Sequence, residues 1–352
     1  MTASRAPVRV GLVGCGRVAQ ERHLPALESL SSAKVVAVAD VNANRLEMVA
    51  NRFHVARRAT DFRALVDDPD IDVLAVCVPA QRHVVVALAA LAAGKHLLIE
   101  KPLALDLDEC DLLIEKAARS TSKVTVGFNL RWHRLVREGR AMIRRGDLGE
   151  IEFIRTTLTS HHDKVPDWRK RREEGGGALN EMAVHHFDAW RFLLGSEVDE
   201  VFASTRSGDW DDETVTVTAC LANGALATSL VSQCTSSNNE IEIHGQRGRL
   251  RIDCYQFDGL DYTATSSPPG DIRSRVRKIA RTVTELPSAA MGLRQGGDYV
   301  GSYRTQWRNF IDSIQQDSPV ECTLEDGRRA TQIMLASQES AARRAPVKIS
   351  LT

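Results

Sequence analysis

The segment Val10-Gly11-Leu12-Val13-Gly14-Cys15-Gly16-Arg17-Val18-Ala19 places two glycines and a small residue at fixed spacing directly after an apolar run. That pattern suits a diphosphate. Gly14 permits a tight turn, Gly16 lets the backbone approach a pyrophosphate, and Ala19 lets the following helix pack close to the strand. The anion would sit beside Arg17 and Val18 at the helix N-terminus, where free N–H groups and the helix dipole favour negative charge. Asp40 ends the next apolar run, at the distance expected of a carboxylate that accepts hydrogen bonds from an adenosine ribose. The alternative is an Asp that merely opens a turn before Asn42. A ribose-binding carboxylate repels a 2′-phosphate, and no arginine follows it before Arg45. The pattern therefore favours NAD as cofactor, with NADP second.

A second group of reactive side chains lies between Gly175 and Trp190. At about 100° per residue, Glu181, His185 and Asp188 share one helix face, with Leu179, Ala183, Trp190, Leu193 and Leu194 opposite. This polar face is expected to look away from the helix's own core. A neutral imidazole at 185 can take a hydroxyl proton, the alternative being a solvated surface histidine. His186 turns toward the apolar side and reads as a packed core histidine.

The elements that must hold these groups follow from periodicity. Strand-like runs at Val8 to Val13, Val35 to Ala39, Val73 to Val78, His96 to Ile99 and Val124 to Val126 alternate with helical patterns, which implies a parallel sheet covered on both faces. With the glycine turn, this is a Rossmann, doubly wound α/β domain over residues 1–127. Residues 128–352 read as a C-terminal α+β domain on a mainly antiparallel sheet. Its helices are placed at Leu135 to Arg145 and Ala178 to Leu194. Its strands are placed at Ile151 to Thr159 and near Glu200 to Arg206, Glu213 to Leu221, Gly224 to Ser232, Glu240 to Gly245 and Arg249 to Cys254. Residues Asp258 to Gly301 fit no clean period, and their basic stretch Arg273 to Arg281 reads as a solvated helix face, or as an arm reaching a partner subunit or a phosphorylated substrate.

Composition narrows the classes. Among 352 residues, Lys plus Arg and Asp plus Glu are each 46, so no broad basic surface for nucleic acid is expected. The longest apolar run, Val84 to Ala93, is far short of the roughly 20 residues of a membrane helix. The start reads as no secretory signal, and a cytoplasmic protein is expected. Seven scattered cysteines without a CxxC pair point to reduced thiols, with neither a disulfide framework nor a zinc site.

Further motifs recur in order along nearly the whole chain. They are His23-Leu24-Pro25-Ala26-Leu27, Ala93-Gly94-Lys95-His96 leading into Glu100-Lys101-Pro102, Val126-Gly127-Phe128-Asn129, Gly175 to Asp188, and Glu325-Asp326-Gly327. With the glycine turn, this set resembles the Gfo/Idh/MocA family, the glucose-fructose oxidoreductase and inositol dehydrogenase group. The resemblance implies NAD(P)-linked oxidation or reduction of a sugar, nucleotide sugar or cyclitol, and a homodimer or homotetramer formed through the open face of the C-terminal sheet.

The resemblance also places Lys101 and His185 in catalysis. An ammonium at a strand end can stabilise negative charge developing on an alcohol or ketone oxygen, and the imidazole can take the proton. Glu181 stands where the family commonly has Asp, so the division of labour among lysine, acid and histidine need not transfer intact. Pro79, His83 and Glu100 fall with the glycine-turn residues in the implied cofactor set, and Asn129, Arg131, Trp168 and Arg169 are candidates for binding substrate hydroxyls, a carboxylate or a phosphate. Other classes to weigh are a glycoside-cleaving hydrolase or lyase that uses NAD transiently, and a non-catalytic NAD sensor. A sensor has no need of both Lys101 and His185.

Overall fold

In the computed structural model, which describes residues 6–161, 166–268 and 297–350 with scattered positions between 269 and 296, the Val-rich run Val8–Val13 forms strand β1 with both faces covered. Ala33–Ala39 (β2), Arg57–Ala59 (β3), Val73–Val76 (β4), His96–Ile99 (β5) and Val124–Val126 (β6) complete a sheet in the order β3-β2-β1-β4-β5-β6. Every neighbouring pair is parallel. The order reverses between β1 and β4, so the crevice outside their carboxyl ends is where this sheet type takes a ligand. The short β3 escapes sequence reading because Arg57-Arg58-Ala59 has no apolar run.

Two compact units account for the chain: residues 1–129 with 303–331, and residues 130–302 with 332–352. A single cut after Gly127 therefore misses that a late segment completes the first unit. Trp307 is fully buried there and donates from Nε1 to Nδ1 of His23, while Gln306 Nε2 donates to the Val126 carbonyl and Thr125 Oγ1 to that of Cys322.

The second unit is built on an eight-stranded sheet. Its strands are Ile151–His161 (β7), Val198–Arg206 (β8), Thr214–Leu221 (β9), Leu226–Ser232 (β10), Cys234–Gly245 (β11), Gly248–Asp253 (β12), Leu260–Ala264 (β13) and Val347–Lys348 (β14), in the order β13-β12-β11-β7-β10-β9-β8-β14. All pairs are antiparallel except β10 with β7. Alternation along β9 sends Val215, Val217, Ala219 and Leu221 inward. On that side, Trp190 of the helix Val184–Leu194 donates from Nε1 to Thr156 Oγ1 of β7. Among the described residues, the other side stays open. Phe153, Leu226 and Cys220 sit side by side across β7, β10 and β9 with Phe202 and Leu230 close by, all exposed.

In the basic stretch Arg273 to Arg281, the basic residues Arg273, Arg275, Arg277, Lys278 and Arg281 lie outside the described residues. Among those described, no helix is long and apolar enough to cross a membrane. All seven cysteines are free, and five are buried.

Candidate active site

In the first unit, β1 runs into the glycine turn and then a helix that continues from residue 17 to 28. Gly14 has φ +95°, and a Cβ there would stand 2.5 Å from the Cys77 carbonyl oxygen, so only glycine lets this turn pass the end of β4. At Gly16 a Cβ would meet nothing within 4 Å. That open space over the helix N-terminus is what a pyrophosphate would fill, and these residues fit an NAD diphosphate. The helix contains a wide turn in which the Leu24 N–H reaches the Ala19 carbonyl, just before Pro25, which has no N–H to offer. Arg17 is exposed and pairs with Glu21 one turn on, Val18 is half-buried, and Cys15 has its thiol pushed up to about 12 by burial and the nearby Asp40 charge.

Asp40 lies at the end of β2, as the spacing predicts, and its carboxylate is fully engaged. Oδ2 accepts from the Cys15 N–H and from Arg45 Nε, both at 2.8 Å; Oδ1 accepts from the Asn42 N–H at 2.8 Å and from Arg45 Nη2 at 2.6 Å. Burial opposes its ionisation, but these hydrogen bonds hold the carboxyl below its ordinary range.

Lys101 follows β5, and the residue before it organises the site. Glu100 is buried. Its Oε1 meets His23 Nε2 at 2.8 Å, and its Oε2 accepts the Lys101 backbone N–H at 3.1 Å. Because Trp307 donates to the other His23 nitrogen, the imidazole proton sits on Nε2 and points at Glu100. Burial works against the Glu100 charge, yet hydrogen bonding from His23 and the nearby Lys101 charge bring its pKa below the usual value. In the sequence His23 stands out only as part of a motif, and nothing there marks Trp307.

His83 is buried at the start of the helix His83–Ala92, with Nδ1 at 2.8 Å from the Pro102 carbonyl and Nε2 at 2.9 Å from that of Val78. It braces the loop carrying Pro79 against the residue after Lys101. Burial favours the neutral ring, which has a single N–H and so donates to one of these two carbonyls at a time. Asn129 is buried beyond β6.

In the second unit, Glu181 and His185 lie one turn apart on a helix that runs from residue 177 to 194 and widens over Leu179–Ala183. Wide turns of this kind concentrate at functional sites. Arg169 clasps Glu181: its Nε lies 2.8 and 2.7 Å from the two carboxylate oxygens, and its Nη2 also meets Oε2. Trp168 and Arg169 are half-buried in the turn Asp167–Lys170. Gly176 makes this approach possible, since a Cβ there would overlap the Arg169 carbonyl oxygen at 2.2 Å.

The expectation of a polar helix face turned from the core needs correction. Asp188 is 1% exposed and His185 8%, so this face is covered. Arg131 covers part of it, with Nε 2.8 Å from Asp188 Oδ2 and Nη2 2.6 Å from Oδ1, inside the unit where both charges are desolvated. Helical periodicity shows which residues share a face, not what packs on it. His186 is packed as expected. It is fully buried, with Nδ1 2.7 Å from Ser229 Oγ, and burial lowers its pKa to about 3.

Comparison with known proteins agrees with this architecture. Residues 8–128 match the oxidoreductase family model described as the GFO/IDH/MocA NAD-binding Rossmann fold, and residues 136–251 match the GFO/IDH/MocA C-terminal domain. The chain belongs to this family and is an oxidoreductase with NAD as its cofactor. It is 27% identical to a myo-inositol 2-dehydrogenase of Thermotoga maritima, over 97% of this chain and 98% of that one. It is 31% identical to the dTDP-3,4-didehydro-2,6-dideoxy-alpha-D-glucose 3-reductase of Actinomadura kijaniata, over 70% and 75% of the two chains. A crystal structure of a putative myo-inositol dehydrogenase from Sinorhizobium meliloti superposes with a TM-score of 0.78 at 26% identity, covering 97% of this chain and all of that one.

Proposed function

We propose that the protein is a dehydrogenase or ketoreductase acting at a carbinol or keto carbon of a sugar, nucleotide sugar or cyclitol. The observation that carries this reading is the Glu100 brace, which ties the Lys101 backbone to a buried, tautomer-fixed His23 at the carboxyl end of the parallel sheet. Bound NAD supplies the hydride acceptor or donor. The Lys101 ammonium hydrogen-bonds the reacting oxygen and stabilises its developing negative charge. His185 takes the hydroxyl proton in oxidation and returns it in reduction. Glu181, oriented by Arg169, accepts from a neighbouring hydroxyl. The relatives' names, an inositol dehydrogenase and a sugar-nucleotide reductase, support the substrate range. The open apolar row Phe153, Leu226 and Leu230 supports association of copies through that face.

The test is a panel of sugars, nucleotide sugars and cyclitols followed at the nicotinamide absorbance, for the wild type and for Lys101→Ala and His185→Ala. We expect substrate-dependent absorbance change in the wild type and a loss of about 100-fold or more in each variant. Tight NADH binding without absorbance change for any compound, or full activity in either variant, would overturn the reading.

A further inference from the structure

We infer that Arg45 makes the adenosine end of the cofactor site permissive, so that the protein takes NADP(H) as well as NAD(H), with Arg45 as the residue that sets the ratio. A carboxylate has about four lone-pair positions. In Asp40 all four are used, two of them by Arg45. A ribose diol can reach Asp40 only by displacing at least one Arg45 contact. A 2′-phosphate meets a different environment: Asp40 is already neutralised by a bidentate partner, so its repulsion is offset, and the cation beside it matches phosphate geometry.

Placement supports this second role. The Asp40 side chain is 3% exposed, whereas that of Arg45 is 40% exposed, so the carboxylate is the fixed member of the pair and the guanidinium the one facing solvent. Arg45 sits in the first turn of the helix Ala43–Arg52, where its backbone N–H donates to the Asn42 side chain. Its Nη1 has no partner among the described residues, leaving two N–H groups for an incoming anion. Asp40 is in turn fixed to the glycine turn through the Cys15 N–H, so Arg45 is joined to the diphosphate cradle by one intervening side chain. The two cofactors thus use alternative states of one arginine: swung outward when the ribose hydroxyls take Asp40, retained when a phosphate takes its place. Because the Asp40 side chain is buried, Arg45 can leave only as the ribose hydroxyls replace its hydrogen bonds, while its own guanidinium, 40% exposed, moves into solvent.

The experiment is calorimetric or fluorescence titration of the purified protein with NADH and with NADPH, which needs no knowledge of the substrate and so fails or succeeds apart from the proposed reaction. In Arg45→Ala the ratio of the NADPH Kd to the NADH Kd should rise about tenfold, or about 1.4 kcal/mol, with NADH binding unchanged or tighter. Arg45→Gln, which keeps a long side chain and removes only the charge, should move the ratio in the same direction and covers the case in which the alanine variant does not fold. Raising ionic strength should weaken NADPH more than NADH in the wild type and equally in the variants. No measurable NADPH binding by the wild type, or a ratio that shifts by less than about threefold in the folded variants, overturns the inference.

Discussion

Trp307 and His23 are 284 residues apart in sequence and joined by a 3.0 Å hydrogen bond from the indole Nε1 to the imidazole Nδ1. The bond selects one tautomer, so the remaining N–H faces Glu100. Trp307→Phe keeps most of the buried ring and deletes the donor. The expected cost is about 1–3 kcal/mol of unfolding free energy, that of a buried acceptor left unpaired, read by urea denaturation. A loss well under 0.5 kcal/mol would show that the indole N–H does not hold the imidazole.

Arg131 and Asp188 form a desolvated pair. Removing one partner strands the other charge, so Asp188→Ala should cost about 3–5 kcal/mol. Replacing both by apolar residues of similar volume should cost much less. If the single and double variants were equally unstable, the pair would not be coupled; if Arg131→Met kept its stability and lost only substrate affinity, the arginine would be a ligand contact instead.

Glu181→Gln leaves Arg169 without its compensating charge. On neutral polyols kcat/KM should fall about 10–100-fold, with NADH affinity unchanged. An acidic sugar should lose less than a neutral one, because the freed guanidinium can pair with its carboxylate. Equal losses on both would argue that Glu181 does not meet the substrate side.

His186 gives a pH signature. Its pKa is lowered from 6.5 to about 3 in the folded chain by burial. Between those values the unfolded state binds the proton and the folded state does not, so stability falls as pH falls, by about 1.4 kcal/mol per unit. His186→Phe should lose that increment of acid sensitivity from pH 6 to 4 whatever its absolute stability. An unchanged slope of unfolding free energy against pH would count against the buried neutral ring.

Leu230 lies exposed on the open sheet face beside Thr216 of β9 and Thr157 of β7. Leu230→Arg should lower the molar mass measured by light scattering while leaving the thermal melt cooperative. A mass equal to that of the wild type would exclude this face as the contact between copies.

What could be read from sequence was local. Val8–Val13, His96–Ile99 and Val124–Val126 emerge with the bounds expected, because short, largely apolar runs have few other ways to bury themselves. The glycine turn was legible for the same reason: Gly14 answers to a backbone angle, not to a distant partner. Side-chain partnerships were not. Arg131 and Arg169 read by type as cations facing a cleft and Arg45 as too far along to meet a 2′-phosphate, yet each is clasped by a carboxylate. An arginine's neighbours are chosen by the tertiary fold, which periodicity does not contain. The parallel pairing of β10 with β7 was hidden likewise, since alternation looks the same in either direction.

The return of residues 303–331 to the first unit has a consequence for biosynthesis. The dinucleotide-binding sheet is encoded by residues 8–126, yet His23 waits for its indole, and Val126 for Gln306, until residues 306 and 307 have been made. At about 5–20 residues per second, the nascent sheet spends seconds outside the ribosome with its last face uncovered. A gene truncated after Asn129 would encode every strand of that sheet and is expected to yield a protein that aggregates, because residues 303–331, which complete the unit, would be missing.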